Sequence, residues 1–539
     1  LFDKPTNSVK IIYKTTSAHF LYPVFQVSVL FLGLIGLFSL GCQSSFRNES
    51  HANVSASSIA KGKKLAEKHC QSCHQLPDPA LLDAKTWETG VLPAMGLHLG
   101  ITSFGGQHFP TDVLAGKREH GLPTSNAVLS VGEWQNIVNY FTATSPDELP
   151  AQARNEKIAL ELPQFQPMQP KLDYRNSQSC FIKIRENDEA RLVVSDAITF
   201  MTYFLNEQLV PIDSFKANGP LASIDFVGEG KAVACNVGIL RPNEDTLGVA
   251  FRMVQKSGKW QADSTNLFSG LRRPIQVTEA DLNKDGKEDY LVCEFGYLKG
   301  GLSWMENMGN NHFKKHTLSI LPGAIKAYIL DYDKDGMLDI MALFAQGKEG
   351  ISLFTNQGNG EFEEKELLSF PAVYGSSYFE LADMDKDGKL DIVYTCGDNA
   401  DYTPILKPYH GVYIFLNKGA DHFEQSYFYP IHGCYKAMAM DFDKDGDMDL
   451  ATIAYFADYK AQPEEGFVYL ENKGDLSFKP LTTAKLEAGR WISMDVGDID
   501  DDGWPDILLG NFVQASKFAN PAINWADAAP LMILKNKGK

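Results

Sequence analysis

A nine-residue pattern of oxygen-bearing side chains occurs five times in the second half of this 539-residue chain. The pattern reads Asp-x-Asp/Asn-x-Asp-Gly-x-x-Asp, and successive copies begin 50, 52, 58 and 57 residues apart. Positions one, three, five and nine are Asp281, Asn283, Asp285, Asp289, Asp331, Asp333, Asp335, Asp339, Asp383, Asp385, Asp387, Asp391, Asp441, Asp443, Asp445, Asp449, Asp498, Asp500, Asp502 and Asp506. A period near 50 predicts one propeller-blade-sized unit per copy and argues against unrelated acidic surface turns.

Alternate carboxylates followed by a glycine wrap a hard cation that takes about six to eight oxygen ligands, as the first half of an EF-hand does. Magnesium is too small for so many side-chain oxygens, so the five loops predict about five Ca²⁺. The ninth residue opens an apolar run, as Asp449 does before residues 450–453, and a strand should follow each loop. We expect the ions to be structural and to link stability to calcium.

Each repeat continues with a strand that ends in Asn-x-Gly or a near variant, such as residues 412–419, and with a last strand that begins at a phenylalanine such as Phe423. Four strands per repeat make a propeller blade. The pattern resembles the FG-GAP or VCBS calcium propellers of integrin α-subunits and bacterial surface proteins, over residues 172–539. Degenerate repeats at 191–215 and 225–230 bring the count to seven blades. We expect a segment near Cys180 to Arg185 to supply the last outer strand and close the ring.

The segment Cys70-Gln71-Ser72-Cys73-His74 is a Cys-x-x-Cys-His motif, the attachment site of a covalent c-type haem. Cys70 and Cys73 would form the two thioethers, and His74 would be the proximal iron ligand. A zinc knuckle needs further ligands at short spacing and a thioredoxin-like dithiol needs a βαβ pattern, and neither is evident. The motif predicts one haem c and one-electron chemistry.

Helical patterns surround this motif. Apolar and small residues recur at helical spacing up to the haem cysteines, and Ser130 and Glu133 form a capping box before a second amphipathic helix that stops at Ser145-Pro146. The two helices resemble the N- and C-terminal helices of a small class I cytochrome c, and the resemblance implies that Gly62 allows a close crossing near Trp134.

The distal haem ligand is assigned to Met95, because a thioether raises the haem potential and suits electron transfer. His98, His108 and His120 are rivals, and Met95 is alternatively a core residue.

The N-terminus has three lysines before an uncharged apolar run from Phe20 to Leu40, which ends at Gly41-Cys42. This pattern is typical of a secretory signal. It resembles a bacterial lipobox, which implies lipidation of Cys42, although Ser39 departs from the lipobox pattern; an uncleaved membrane anchor is the alternative. Either alternative predicts a membrane-anchored extracytoplasmic protein, either periplasmic or an outer-membrane or cell-surface lipoprotein.

The predicted fold is multidomain, with a small all-α class I cytochrome c domain before an all-β, seven-bladed propeller. The predicted parts are a signal with lipobox at 1–42, a polar tether at 43–54, the cytochrome c domain at 55–147, a Pro-containing linker at 148–171 and the calcium propeller at 172–539. A net charge of -18 argues against nucleic acid as a partner.

Basic and aromatic residues provide candidate ligand contacts on the propeller. Two repeats carry Ala-Asp-Tyr, at 400–402 and 457–459, and basic residues precede four loops at Arg273, Lys326, Lys436 and Arg490. These residues would bind an anionic or sugar ligand, or would pair with nearby carboxylates and hold loops.

Three functions fit these patterns. The leading one is a membrane-tethered electron carrier that exchanges electrons with another redox protein or a small donor or acceptor, with the propeller as a scaffold that docks a protein or carbohydrate ligand. The second is a carbohydrate-active or dehydrogenase propeller that uses the haem as its electron outlet, and the third is an adhesion or assembly module. The chain shows no Ser-His-Asp pattern, zinc-protease motif or Gly-rich phosphate loop, so a carrier is favoured over a catalyst.

Overall fold

The computed structural model describes residues 48–71, 74–105, 107–108, 127–170, 172, 176–186, 188–400, 404–514 and 516–538. The predicted signal sequence and Cys42, Cys73, His120, Asp401 and Tyr402 lie outside the described residues, as does the side chain of His108. Across the described ranges, no helix combines the length and the apolar character needed to cross a membrane.

Short helices form the first described part of the chain, which we call the helical segment (residues 48–147). Its elements are a 3-10 turn at Glu49–His51, α1 at Ala56–His69, a 3-10 turn at Pro79–Leu81, α2 at Ala84–Thr86, a π-helical turn at Trp87–Val91, α3 at Leu92–His98, a strand pair at Ser103–Phe104 and Gln107–His108, and α4 at Val131–Thr144. The predicted capping box begins α4: Ser130 Oγ accepts the Glu133 N–H at 3.3 Å, and Glu133 Oε2 accepts the Ser130 N–H at 2.9 Å.

Helices α1 and α4 cross at Gly62. A Cβ atom on Gly62 would lie 1.8 Å from the carbonyl oxygen of Asn136 and 2.7 Å from Cβ of Tyr140, so only glycine permits this approach. The predicted close crossing is confirmed. A core that contains the buried side chains of Trp87 and Ile137 holds the helices together. That this segment is a cytochrome c domain stays a prediction.

Seven four-stranded antiparallel sheets follow, which confirms the predicted seven-bladed propeller. From the innermost strand outward, blades 1 to 3 consist of Ser179–Ile184, Leu192–Asp196, Met201–Leu205 and Pro211–Lys216; Leu221–Gly228, Lys231–Asn236, Gly248–Lys256 and Lys259–Leu271; and Pro274–Ala280, Asp289–Glu294, Gly301–Asn307 and Phe313–Ser319. Blades 4 and 5 consist of Ala324–Leu330, Asp339–Phe344, Gly350–Asn356 and Phe362–Ser369; and Ser376–Ala382, Asp391–Cys396, Gly411–Asn417 and Phe423–Pro430. Blades 6 and 7 consist of Cys434–Met440, Asp449–Ala454, Phe467–Asn472 and Phe478–Leu481; and Trp491–Gly497, Asp506–Asn511, Leu531–Asn536 and Phe165–Met168. Short 3-10 turns occur at Pro463–Gly466, Ala484–Ala488 and Trp525–Asp527.

The ring closes through Phe165–Met168, which is the outer strand of blade 7 and pairs antiparallel with Leu531–Asn536. The predicted closing segment near Cys180 to Arg185 is wrong, because Ser179–Ile184 is the inner strand of blade 1. The closing strand lies inside the predicted Pro-containing linker. An edge strand tolerates Pro167, and Phe165 anchors it by packing in the core between blades 6 and 7.

Neighbouring blades pack face to face through their second and third strands. Every residue of the second strand of blade 4, Asp339–Phe344, is buried, and Phe344 shares a core cluster with Leu291 and Trp304 of blade 3. Because strands alternate in direction, all five carboxylate loops and the Asn-x-Gly turns lie at one end of the propeller, the carboxylate end. The links between blades lie at the opposite end.

Candidate functional site

Carboxylates converge in four of the five predicted loops. In each of these loops, one ligand atom from each of three residues lies within 4.8 Å of the others; the groups are Asp331, Asp333 and Asp339; Asp383, Asp385 and Asp391; Asp441, Asp443 and Asp449; and Asp498, Asp500 and Asp506. In the first loop, Asn283 takes the third position between Asp281 and Asp289. The structure therefore brings together positions one, three and nine.

The fifth position takes no part in these groups. Asp445 Oδ1 accepts the N–H of Asp447 at 2.9 Å and so closes the turn. The same bond forms at Asp285, Asp335, Asp387 and Asp502, each with the N–H two residues further on. The spacing of the aspartates does not show that the fifth one bonds to nearby backbone, because it does not reveal where a short Asp side chain competes for backbone N–H groups.

The ninth residue is the buried anchor of each loop. Asp449 Oδ1 accepts the N–H of Asn472 at 2.7 Å, and its Oδ2 accepts the N–H of Phe442 at 3.2 Å. Burial raises the pKa of Asp449 and of Asp506 to about 7. A cation beside these carboxylates would favour their ionised form.

Three carboxylate oxygens in these loops are buried and have no hydrogen-bond donor among the described residues: Oδ1 of Asp441, Asp498 and Asp500. Buried acceptors without a donor are costly, and a cation supplies what they lack. The donor set therefore fits a hard cation such as Ca²⁺.

The Cys-x-x-Cys-His motif, the predicted haem-attachment site, begins where α1 ends. Cys70 is the C-cap of α1 and its N–H donates to the Ala66 carbonyl at 2.8 Å. The Nδ1–H of His74 donates to the Gln75 carbonyl at 2.8 Å, because a carbonyl can only accept. In the neutral imidazole this bond places the proton on Nδ1, and Nε2 is then the nitrogen that could bind a metal.

Two of the four predicted distal-ligand candidates lie on one helix. Met95 and His98 are both half-buried residues of α3. Burial lowers the pKa of His98, and the charge that His74 carries when protonated lowers it further. The buried indole N–H of Trp134 has no acceptor among the described residues, and a haem propionate is an acceptor of suitable chemistry.

The helical segment packs on the opposite end of the propeller, at blade 5. Tyr409 Oη donates to the Leu81 carbonyl at 3.2 Å, and its ring stacks on Tyr374 at 4.7 Å between centroids. Val373 shares the core of the helical segment. Further along the chain, Arg154 donates to the Pro430 carbonyl at 2.8 Å. The candidate haem and the carboxylate loops therefore lie on opposite ends.

Most polar side chains along the axis tie one blade to the next. Lys436 Nζ donates to the Met494 carbonyl of blade 7 at 2.7 Å, and burial lowers the pKa of Lys436 to about 8. Lys326 of blade 4 lies over the Tyr378 ring of blade 5 at 5.8 Å, and Asp495 Oδ2 accepts the N–H of Ile184 in blade 1 at 2.7 Å. Sequence reasoning missed Asp495, whose signal is a polar residue facing the axis within an apolar inner strand.

Two further sequence candidates hold loops. The fully buried Tyr459 of the second Ala-Asp-Tyr donates its hydroxyl to the Ala454 carbonyl at 2.7 Å. Arg490 donates from Nε to the Tyr455 carbonyl at 3.1 Å. Neither side chain is accessible to a ligand.

Residues 281–342 and 331–394 match the FG-GAP-like repeat family. The chain therefore contains FG-GAP-like repeats, as its loops predict. No curated protein matches the sequence. Among solved structures, the chain is similar to the crystal structure of the WD40 beta propeller domain of Doa1, with 8% sequence identity and a TM-score of 0.41 over 69% of this chain and 98% of that chain.

Proposed function

We propose that this protein is a docking scaffold, held by about five Ca²⁺, that presents a single c-type haem for one-electron transfer outside the cytoplasm. The observation that carries the proposal is the attachment of the helical segment to one end of a closed FG-GAP-like propeller, through Tyr409 and Leu81. The propeller positions the helical segment, and its remaining surface is available for a partner.

The calcium part rests on the carboxylate groups. Four loops bring three carboxylates together, and Asp441, Asp498 and Asp500 each keep a buried oxygen without a donor among the described residues. Each ion would link the inner strand of a blade to its second strand, because positions one and nine belong to the ends of these strands. Calcium would therefore stabilise every blade that has a loop.

The haem part rests on the motif and on His74. Cys70 ends α1, and the Nδ1–H of His74 is held by a backbone carbonyl, which leaves Nε2 for iron. When bound, the haem supplies a reversible one-electron centre. Cys70 and Cys73 would hold it covalently, and Met95 would supply a further iron ligand, with His98, His108 and His120 as rivals.

The tether follows from the N-terminal pattern. Lipidation at Cys42 would keep the protein at a membrane outside the cytoplasm, where another redox protein or a small electron donor or acceptor exchanges electrons with the haem. In this proposal the protein is an electron carrier and has no substrate of its own.

Haem content is the first test. The full chain, produced with a haem-attachment system, should show a c-type haemochrome spectrum with one haem per protein. Cys70→Ala and Cys73→Ala should lose covalent haem, whereas Cys180→Ala, a half-buried thiol in the propeller, should keep it. A wild-type protein without haem would leave an adhesion scaffold and would overturn the electron-transfer part.

Calcium content is the second test. Metal analysis after dialysis should find about five Ca²⁺ per protein, and a chelator should lower the melting temperature of the propeller. Asp498→Asn should lower the calcium content, whereas Asp475→Asn, an exposed residue outside the loops, should not. A melting temperature that changes with neither chelator nor added calcium would contradict a structural role for calcium.

A further inference from the structure

Blades 3 to 6 each begin with one residue in the left-handed backbone region. The carbonyl of this residue accepts the N–H of a residue just after the second strand, which identifies it as the same position in each blade. The residues and their φ angles are Arg273 (+44°), Gly323 (+91°), Gly375 (+69°) and Gly433 (+62°), with acceptor distances of 3.1, 2.8, 2.9 and 3.5 Å. Blade 3 thus has an arginine where the next three blades have glycine.

This conformation is unfavourable for an arginine. A Cβ atom crowds the backbone in the left-handed region, a cost that glycine does not have. Residues held in such conformations cluster at functional sites. The strained backbone at Arg273 therefore indicates a functional role for its guanidinium.

The guanidinium is bound only by neutral groups among the described residues. Its Nη1 donates to the Gly296 carbonyl at 2.6 Å, its Nη2 donates to the Leu240 carbonyl at 2.9 Å, and it lies 5.2 Å from the Phe295 ring centroid. The Nε–H is buried and has no acceptor in the described part of the chain.

No described residue forms an ion pair with this positive charge either. No carboxylate of the described residues lies within 4.0 Å of the Arg273 guanidinium, whereas the adjacent Arg272 has Glu244 at 3.6 Å. Burial lowers the pKa of Arg273. Asp398 and Glu244 act on this charge from beyond ion-pair distance, so the guanidinium is desolvated with no carboxylate in contact, and an anion beside it would reduce this cost.

Arg273 lies near the propeller axis. It directly precedes Pro274–Ala280, the inner strand of blade 3. Burial lowers its pKa, and Tyr435 of blade 6 and Asp398 of blade 5 raise it. Tyr435 packs with Leu240 and Phe456 in an apolar cluster at the opposite end. These residues are half-buried. We call this part of the opposite end, formed by Arg273, Leu240, Phe295, Tyr435 and Phe456, the mouth. It combines a guanidinium with aromatic and apolar surface.

We propose that this mouth binds a small ligand through a carboxylate group, with Arg273 as the residue that recognises the carboxylate. The guanidinium donates hydrogen bonds to the carboxylate, and the Phe295 and Tyr435 rings pack against the carbon skeleton of the ligand. Asp398 repels a second negative charge and favours a ligand with one carboxylate. The site goes beyond the scaffold and haem proposals and depends on neither of them.

The test uses the full chain in calcium and compares three probes by ligand-observed NMR: glucuronate, glucose and butyrate. Glucuronate or butyrate should bind and glucose should not, and the better of the two acids identifies a sugar acid or an aliphatic acid as the ligand class. Binding of neither acid, or equal binding of glucose and glucuronate, would overturn the proposal.

Arg273→Gly is the matched variant, because glycine adopts this backbone conformation without strain. It should weaken acid binding by about tenfold or more, since the charge-assisted bonds are lost. Arg272→Gln, which removes the neighbouring half-buried guanidinium, should bind as the wild type does. Unchanged binding by Arg273→Gly would show that Arg273 only holds loops, and thermal unfolding confirms that both variants fold.

Discussion

Oδ1 of Asp449 accepts the backbone N–H of Asn472 at 2.7 Å, so the last residue of a carboxylate loop holds the turn that ends the third strand of its blade. Asn472 in turn donates from Nδ2 to the Met448 carbonyl at 3.1 Å and accepts the Gly474 N–H at 3.1 Å. The same carboxylate bond joins Asp289 to Asn307, Asp339 to Asn356, Asp391 to Asn417 and Asp506 to Asn536. The ninth carboxylate therefore has a structural role even without a cation.

Substitution of Asp449 separates these two roles. With a chelator present, Asp449→Ala should lower the free energy of unfolding by about 1–3 kcal/mol, because the buried N–H of Asn472 loses its acceptor. Asp449→Asn keeps an acceptor oxygen and should lose less. Urea denaturation of the two variants gives the difference, and equal stability in chelator would show that the bond to Asn472 contributes nothing. In the presence of calcium, both variants should also lose the part of the free energy of unfolding that depends on calcium.

The carboxylate loops also contact one another around the ring. Lys386, at position four of its loop, pairs with Asp447 of the next blade at 2.8 Å, and Lys444 lies 4.4 Å from the Trp504 ring centroid. At the last loop the charge is reversed, because Asp501 accepts from Arg191 of blade 1 at 3.0 Å.

This reversed pair should help to close the ring. Arg191→Asp should destabilise the propeller by about 0.5–1 kcal/mol, since the pair is partly exposed and is replaced by two like charges. Adding Asp501→Arg should restore part of the loss. A double-mutant cycle by chemical denaturation measures the coupling, with the exposed pair Lys63 and Glu67 as the control. A coupling no larger than that of the control would argue against a role in closure.

The α1–α4 crossing is testable at one position. Gly62→Ala should destabilise the helical segment by about 1–3 kcal/mol, because the new methyl group meets the Asn136 carbonyl. Gly132→Ala is the control, since no atom lies within 4 Å of its Cβ position, and it should leave stability unchanged or raise it by up to about 1 kcal/mol. Thermal unfolding followed by helical circular dichroism reports both. A tolerated Gly62→Ala would contradict the tight crossing.

Glu349 predicts a pH dependence. Its carboxyl is buried beside Ser376, and burial raises its pKa from 4.5 to about 7. Between these values the native protein holds a proton that the unfolded chain has released. The stability that Glu349 contributes is therefore full below pH 4.5 and is lost as the pH rises through 7, by on the order of 3 kcal/mol.

Removing this group should flatten the profile. Glu349→Gln should be more stable than the wild type above pH 7, because it needs no proton, and it should show a smaller fall between pH 4.5 and 7. Glu363→Gln, an exposed residue of the same blade, should keep the wild-type profile. Denaturation midpoints measured across this pH range test the prediction. If the midpoint changes with pH at the same slope in both variants, the assignment to Glu349 is refuted.

The sequence predicted well wherever the signal is local. Ser130 and Glu133 are three residues apart, and their capping box forms as predicted. The blade count followed from the repeat period. The closing strand did not, because Phe165–Met168 contains a proline, resembles a linker and pairs with Leu531–Asn536 at the far end of the chain.

The sequence by itself determined the loops, their period and the presence of a Cys-x-x-Cys-His motif, because each of these depends on residues within a short stretch of backbone. Tertiary structure alone decided that Lys436 ties blade 6 to blade 7, and that Arg273 occupies a glycine position with no carboxylate of the described residues within 4.0 Å. These outcomes depend on which backbone and which charges the neighbouring blades bring within reach. A ring of seven packed sheets sets those neighbours, and no local pattern encodes them.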